Sequence, residues 1–155
     1  MFNREQIAEE YRLIQDEICR GLEQADGLGK FQEELWDREG GGGGRTRVLQ
    51  HGNIIEKGGV NFSAVHGELP DAVKRAFKTD QSDFFATGVS IVIHPEHPFV
   101  PIIHMNIRYF ETEGGSQEPL RWFGGGIDLT PHYIQEEDAR FFHQSLKQVC
   151  DDFHP

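Results

Sequence analysis

The chain has 155 residues, 37% of them hydrophobic, with 15 Lys plus Arg against 26 Asp plus Glu, a net charge of −11 with His neutral. That size suits one domain, or part of one, able to bury ~70% of its unfolded surface without disulfides; the acidic balance argues against a nucleic-acid footprint or an anionic membrane surface. No apolar run approaches the roughly 18 residues of a membrane span, Met1 to Glu10 lacks the order of a signal peptide, and Cys19 and Cys150 form no disulfide framework or zinc spacing, so a cytoplasmic location is expected.

From Asn3 to Ala25, Ile7, Tyr11, Ile14, Ile18 and Leu22 recur at the spacing of one helical face. Asn3 and Gln6 form a capping-box pattern at its start, and Gly27 and Gly29 supply the stop. A short alternating segment, Phe31 to Asp37, leads to the glycine run Gly40 to Gly44, which reads as a mobile or ligand-hugging loop. The Walker ending is absent there, because Gly44-Arg45-Thr46 stands in its place, and Arg45 and Arg47 read as solvated charges or as a reach toward anions. Val48 to Gln50, Asn53 to Lys57 and Val60 to His66 are short strand-like pieces, and Pro70 opens a short helix through Phe77.

Two strong strands follow, Phe85 to His94 and Ile102 to Phe110, joined through Pro95, Pro98 and Pro101. A third, Arg121 to Leu129, comes after Gly114-Gly115, and Ile134 to Phe153 repeats apolar residues as a helix with Glu136, Glu137 and Asp138 in its first turn. The expected fold class is α+β, a large, mainly antiparallel sheet flanked by helices.

Side chains alternate between the faces of a strand, so residue parity sorts the two strong strands. Val89, Ile91 and Ile93 with Met105, Ile107 and Tyr109 form a core-facing set; Ser90, Val92, His94, His104, Asn106 and Arg108 form the other face. Antiparallel pairing with His94 near Ile102 places Asn106 by Ser90 and His104 by Val92. Five polar groups then converge, able to bind a carboxylate and move a proton, although a solvated sheet face is polar as well. The third strand adds Trp122, Gly124, Gly126 and Asp128 on one parity, and its bare middle suits either a flat ligand or a bulge. His94, His97, His104 and His143 with Asp128 offer donors for a divalent ion without a diagnostic spacing.

Five segments are distinctive as words: Gly41-Gly-Gly-Gly-Arg-Thr-Arg-Val-Leu, Glu56-Lys-Gly-Gly-Val-Asn, Gly88-Val-Ser-Ile-Val-Ile-His-Pro, His104-Met-Asn-Ile-Arg-Tyr-Phe and Trp122-Phe-Gly-Gly-Gly-Ile-Asp-Leu-Thr-Pro. In that order they resemble the oxygen-dependent coproporphyrinogen III oxidase family, whose members run to about twice this length, so residues 1–155 read as the N-terminal part of a single domain with an incomplete sheet. The resemblance implies conversion of two propionates of coproporphyrinogen III to vinyls, giving protoporphyrinogen IX for haem synthesis. Molecular oxygen is then the co-substrate, with no organic cofactor, and the full-length protein is expected to be a homodimer.

The same resemblance makes His104 the proton donor and Ser90, Asn106 and Arg108 the substrate-binding residues, with a divalent metal ion at His94, His104 and His143. Asp128 is a further catalytic candidate, since a carboxylate at the centre of a porphyrinogen's inward N–H groups would stabilise positive charge developing on the ring. His97 and Arg121 depart from the family's usual residues. A catalytically incomplete tetrapyrrole-binding fragment is the alternative.

Overall fold

The computed structural model describes residues 2–153. Helix α1 (Arg4–Asp26) begins at a complete capping box: Gln6 N–H donates to Asn3 Oδ1 at 2.8 Å, and Asn3 N–H donates to Gln6 Oε1 at 3.0 Å. It ends at Gly27, whose φ of 78° lies in the left-handed region that glycine adopts without a Cβ clash.

Six antiparallel strands follow in chain order, β1 (Gln32–Asp37), β2 (Gly42–Gln50), β3 (Ile55–Glu68), β4 (Asp83–Pro95), β5 (Ile102–Glu113) and β6 (Arg121–Thr130), each paired with the next. The α+β class and mainly antiparallel sheet expected from the sequence are therefore observed. Short helix α2 (Asp71–Phe77) joins β3 to β4, with Pro70 at its N-cap, and α3 (Glu136–Asp151) follows β6. No helix among the described residues is long and apolar enough to cross a membrane.

The core lies between α1 and one sheet face. Ile7, Tyr11 and Cys19 of the helix pack with Val60 and Phe62 of β3 and with the parity set read from the sequence, of which Val89, Ile91, Ile93 and Tyr109 are buried and Met105 and Ile107 partly buried. Each fully buried aliphatic or aromatic side chain there contributes about 1.5–3 kcal/mol. A polar seam fixes the helix against β2 and β3: fully buried Gln15 donates to the carbonyls of Arg45 and Val60, both at 2.8 Å, and accepts from Arg45 Nε at 2.7 Å. Arg47 spans from Asp16 at 2.7 Å to Glu33 at 2.8 Å. Arg45 and Arg47 are therefore neither solvated charges nor an anion site, since α1 and β1 neutralise them.

The glycine run is not a mobile loop. Only its first residues turn the chain, and Gly42 to Gly44 belong to β2. A Cβ on Gly42 would come 2.2 Å from the Ala64 carbonyl oxygen, and one on Gly44 would come 2.3 Å from Trp36 Cζ2, so these glycines permit close strand approach. Of the pieces expected between Val48 and His66, the first ends β2 and is set apart by a turn as expected, whereas the second and third are continuous from Ile55, because Gly58 and Gly59 lie inside β3 without ending it.

Asp26 closes the other end of the layer. Buried at the end of α1, its carboxylate accepts from the backbone N–H groups of Leu28, Gly29, Asn53, Ile54 and Ile55 at 2.6–3.2 Å. These donors tie the helix terminus to the β2–β3 turn and hold the carboxyl well below its ordinary pKa. Helix α3 contrasts with α1: none of its residues is buried, and Phe141 and Val149 are 73% and 58% exposed.

Candidate active site

The sheet face away from α1 is built as a grid by the strand registers. One row runs Gly59, Val92, His104, Asp128; the next runs Asn61, Ser90, Asn106, Gly126; a third runs Ser63, Gly88, Arg108, Gly124. The pairings of Ser90 with Asn106 and of Val92 with His104 are those expected from parity. The β5–β6 register is unbroken, so the glycines of β6 do not mark a bulge.

Antiparallel register sets His104 opposite Asp128, and their side chains meet: His104 Nδ1 lies 3.2 Å from Asp128 Oδ2. Thr130 Oγ1 donates to the other carboxylate oxygen at 3.1 Å, which fixes the orientation of the carboxylate. The remaining imidazole nitrogen, Nε2, makes no hydrogen bond among the described residues. Both residues are about half exposed, so a proton can reach the pair. A His held by a carboxylate through one ring nitrogen is a proton-transfer unit, because the carboxylate sets the tautomer and stabilises the charged imidazolium.

Beside this pair the floor is bare. A Cβ on Gly126 would meet nothing within 4 Å, and one on Gly124 only Trp122 Cδ1 at 3.8 Å. Backbone packing therefore does not require glycine at either position. Gly125, on the opposite face, differs, since a Cβ there would come 2.4 Å from the Asn106 carbonyl oxygen.

An open groove of about 510 Å³ crosses the face, bordered by Trp36, Asn61, Ser63, Ser90, Asn106 and Arg108. Asn106 Oδ1 is buried without a hydrogen-bond partner among the described residues. A buried, unpaired acceptor costs about 1–3 kcal/mol, so the groove holds an acceptor for which an N–H or O–H donor on a ligand would be a favourable partner. Further along the same sheet face, Phe84, Phe110 and Trp122 form a stacked ladder, with ring centroids 5.9 and 4.4 Å apart.

The predicted metal ligands do not assemble. His94 lines a separate recess with Glu56, His97 and His132, His104 is engaged with Asp128, and His143 stands on the exposed α3. Among the described residues, no group of three or more His, Cys, Asp or Glu side chains is placed to hold a metal ion. Among the described residues these three histidines are therefore not gathered at one point. His154 lies outside the described residues.

Sequence reasoning found Ser90, His104, Asn106, Arg108 and Asp128 on one face but missed Trp36 and Asn61. Their signal was parity along β1 and β3, which could be joined to this face only through the strand registers.

The chain that builds this face falls in a known class. Residues 6–155 match the family model described as coproporphyrinogen III oxidase, and the chain belongs to that family. It is 51% identical over 144 residues to the oxygen-dependent coproporphyrinogen-III oxidase of Synechococcus sp. (strain CC9902), covering 92% of this chain and 38% of that protein. It is 50% identical over 155 residues to coproporphyrinogen-III oxidase 1, chloroplastic, of Arabidopsis thaliana, covering 93% of this chain and 40% of that protein. The corresponding soybean protein, Glycine max oxygen-dependent coproporphyrinogen-III oxidase, chloroplastic, is 51% identical over 155 residues with the same two shares. The chain thus spans about two fifths of the length of these relatives.

Proposed function

We propose that this chain carries the substrate floor and proton-transfer pair of an oxygen-dependent coproporphyrinogen III oxidase. In this reading two propionates of coproporphyrinogen III become the vinyls of protoporphyrinogen IX. For each, a C–H bond and the bond to the carboxylate break, a C=C bond forms and carbon dioxide leaves; one proton and two electrons pass to molecular oxygen, the co-substrate. No organic cofactor enters this scheme. The observation that carries it is the His104–Asp128 contact in the same strand grid as Ser90, Asn106 and Arg108.

Arg108 offers a forked guanidinium to a propionate carboxylate, and Ser90 and Asn106 hydrogen-bond substrate beside it. His104 moves the proton, while Asp128 holds its Nδ1 and stabilises positive charge at the ring's N–H centre.

A reducing cytoplasm suits the free thiols of Cys19 and Cys150. Homodimerisation of the full-length protein is part of the same reading. The unpaired edge of β6 and the exposed Phe123 beside it support association there. The net charge of −11 speaks against a nucleic-acid partner.

The test is aerobic turnover of coproporphyrinogen III by the chain, with an oxygen-free control. Oxygen-dependent protoporphyrinogen formation is expected. Folded chain that binds coproporphyrin but forms no product would support the binding-fragment reading instead.

A further inference from the structure

The outer face extends beyond β4, β5 and β6, and its far side is built as deliberately as the near one. Register places Trp36 opposite Gly44, Gly44 opposite Ser63, Ser63 opposite Gly88, and Gly88 opposite Arg108. A row that begins with an indole and reaches a guanidinium therefore carries only glycine and serine between them. At the usual strand separation these two side chains stand on strands about 19 Å apart. The result is a trough with an aromatic wall on one side and a cation on the other.

Trp36 is held in that position. Its Nε1 donates to Thr46 Oγ1 at 3.2 Å, and its ring occupies the space that a Cβ on Gly44 would fill. It is the half-buried residue of a strand whose other side chains are exposed. In the adjoining row, Asn61 and Asn106 flank Ser90 from opposite strands, about 10 Å apart. The Asn61 amide nitrogen leans over Gly59, 3.8 Å from where a Cβ would sit, and its side chain is exposed to the groove. A carboxamide in this place can donate to an anionic oxygen.

We propose that Trp36 and Asn61 are further substrate-positioning residues: Trp36 walls the far edge of the bound macrocycle opposite Arg108, and Asn61 donates an N–H to one of its propionates. The assignment rests on the tetrapyrrole reading above and extends its binding surface across β1 and β3. A flat, apolar ring with carboxylates on its rim matches this trough, because ring surface packs on indole while the rim meets amides and guanidinium.

The experiment titrates coproporphyrin III, the stable oxidised form of the substrate, into the chain and its variants, with thermal unfolding as the check on folding. Arg108→Ala tests the underlying reading and should weaken binding. Asn61→Ala should weaken binding about tenfold, as for loss of one hydrogen bond to a charged group. The near-isosteric Asn61→Asp should weaken it further by placing like charges together. Trp36→Ala should lose about three- to tenfold, while Trp36→Phe retains a ring and most of the affinity.

Two tryptophans are present, so in a Trp122→Phe chain the indole of Trp36 reports alone, and coproporphyrin should shield it from acrylamide quenching. Wild-type affinity in Asn61→Asp and Trp36→Ala, alongside weakened Arg108→Ala, would overturn this assignment and leave the tetrapyrrole reading standing. Failure of the folded wild-type chain to bind would overturn both.

Discussion

His104 and Asp128 occupy opposed positions on neighbouring strands, with Nδ1 and Oδ2 3.2 Å apart on an open sheet face. The contact follows from strand register rather than from a loop, so the scaffold itself orients the imidazole. His104→Gln should lower turnover of coproporphyrinogen III by about 10²–10⁴-fold, the usual worth of a positioned general acid or base. Coproporphyrin III affinity should stay close to wild type. Parallel steady-state kinetics and equilibrium titration check this, and unchanged turnover would remove the proton-transfer role.

The bare floor of β6 gives a prediction in which stability and binding move apart. Gly126 has open space where a side chain would project, and glycine within a strand is less stable than a residue with a Cβ by about 0.5–1 kcal/mol. Gly126→Val should therefore leave the unfolding midpoint unchanged or raised while weakening coproporphyrin III binding. Gly125→Val should unfold at lower temperature, since its Cβ would strike the Asn106 carbonyl oxygen. Thermal melts and titrations of the two variants distinguish a floor kept clear for a ligand from glycines kept for packing.

Much of this site was legible in the sequence. Parity alone assigned Ser90, His104, Asn106 and Arg108 to one face, because β4 and β5 are long, regular and apolar on the opposite side. The helical face of α1 and its capping box were equally plain, being set by local spacing. The glycine run was misread because composition cannot distinguish a flexible loop from strands in close approach. That distinction depends on Trp36 and Ala64, which lie on the strands paired to either side of β2. Parity in β1 and β3 could not be joined to the site until their registers were known, which hid Trp36 and Asn61. The histidine trio was not legible in the same way: spacing says nothing about where α3 sits, and the described fold has His143 on an exposed helix.

Gln15 makes a prediction about the seam between helix and sheet. Its fully buried amide reaches two strand carbonyls and orients the largely buried Arg45. Gln15→Leu keeps the volume but leaves these groups without their partner. The expected loss is about 2 kcal/mol, in the range for an unsatisfied buried polar group, read as a lower urea midpoint at unchanged slope. Arg47 keeps its own bridges to Asp16 and Glu33, so the helix should remain docked.

Asp26 predicts how stability responds to acid. A carboxylate at a helix C-terminus is ordinarily opposed by the helix dipole, yet here five backbone N–H groups point at it. Its folded pKa lies below the unfolded value of about 3.9, so the unfolded chain takes up the proton first as pH falls. The stabilisation is fully present above the unfolded pKa and is lost as pH falls toward the folded one. Asp26→Asn should therefore lower the unfolding midpoint at pH 7 by an amount that stays level down to about pH 5 and shrinks below about pH 4. Thermal unfolding of both proteins from pH 7 to pH 3 measures the difference. A gap that widened in acid would show that the five donors do not stabilise the charged form.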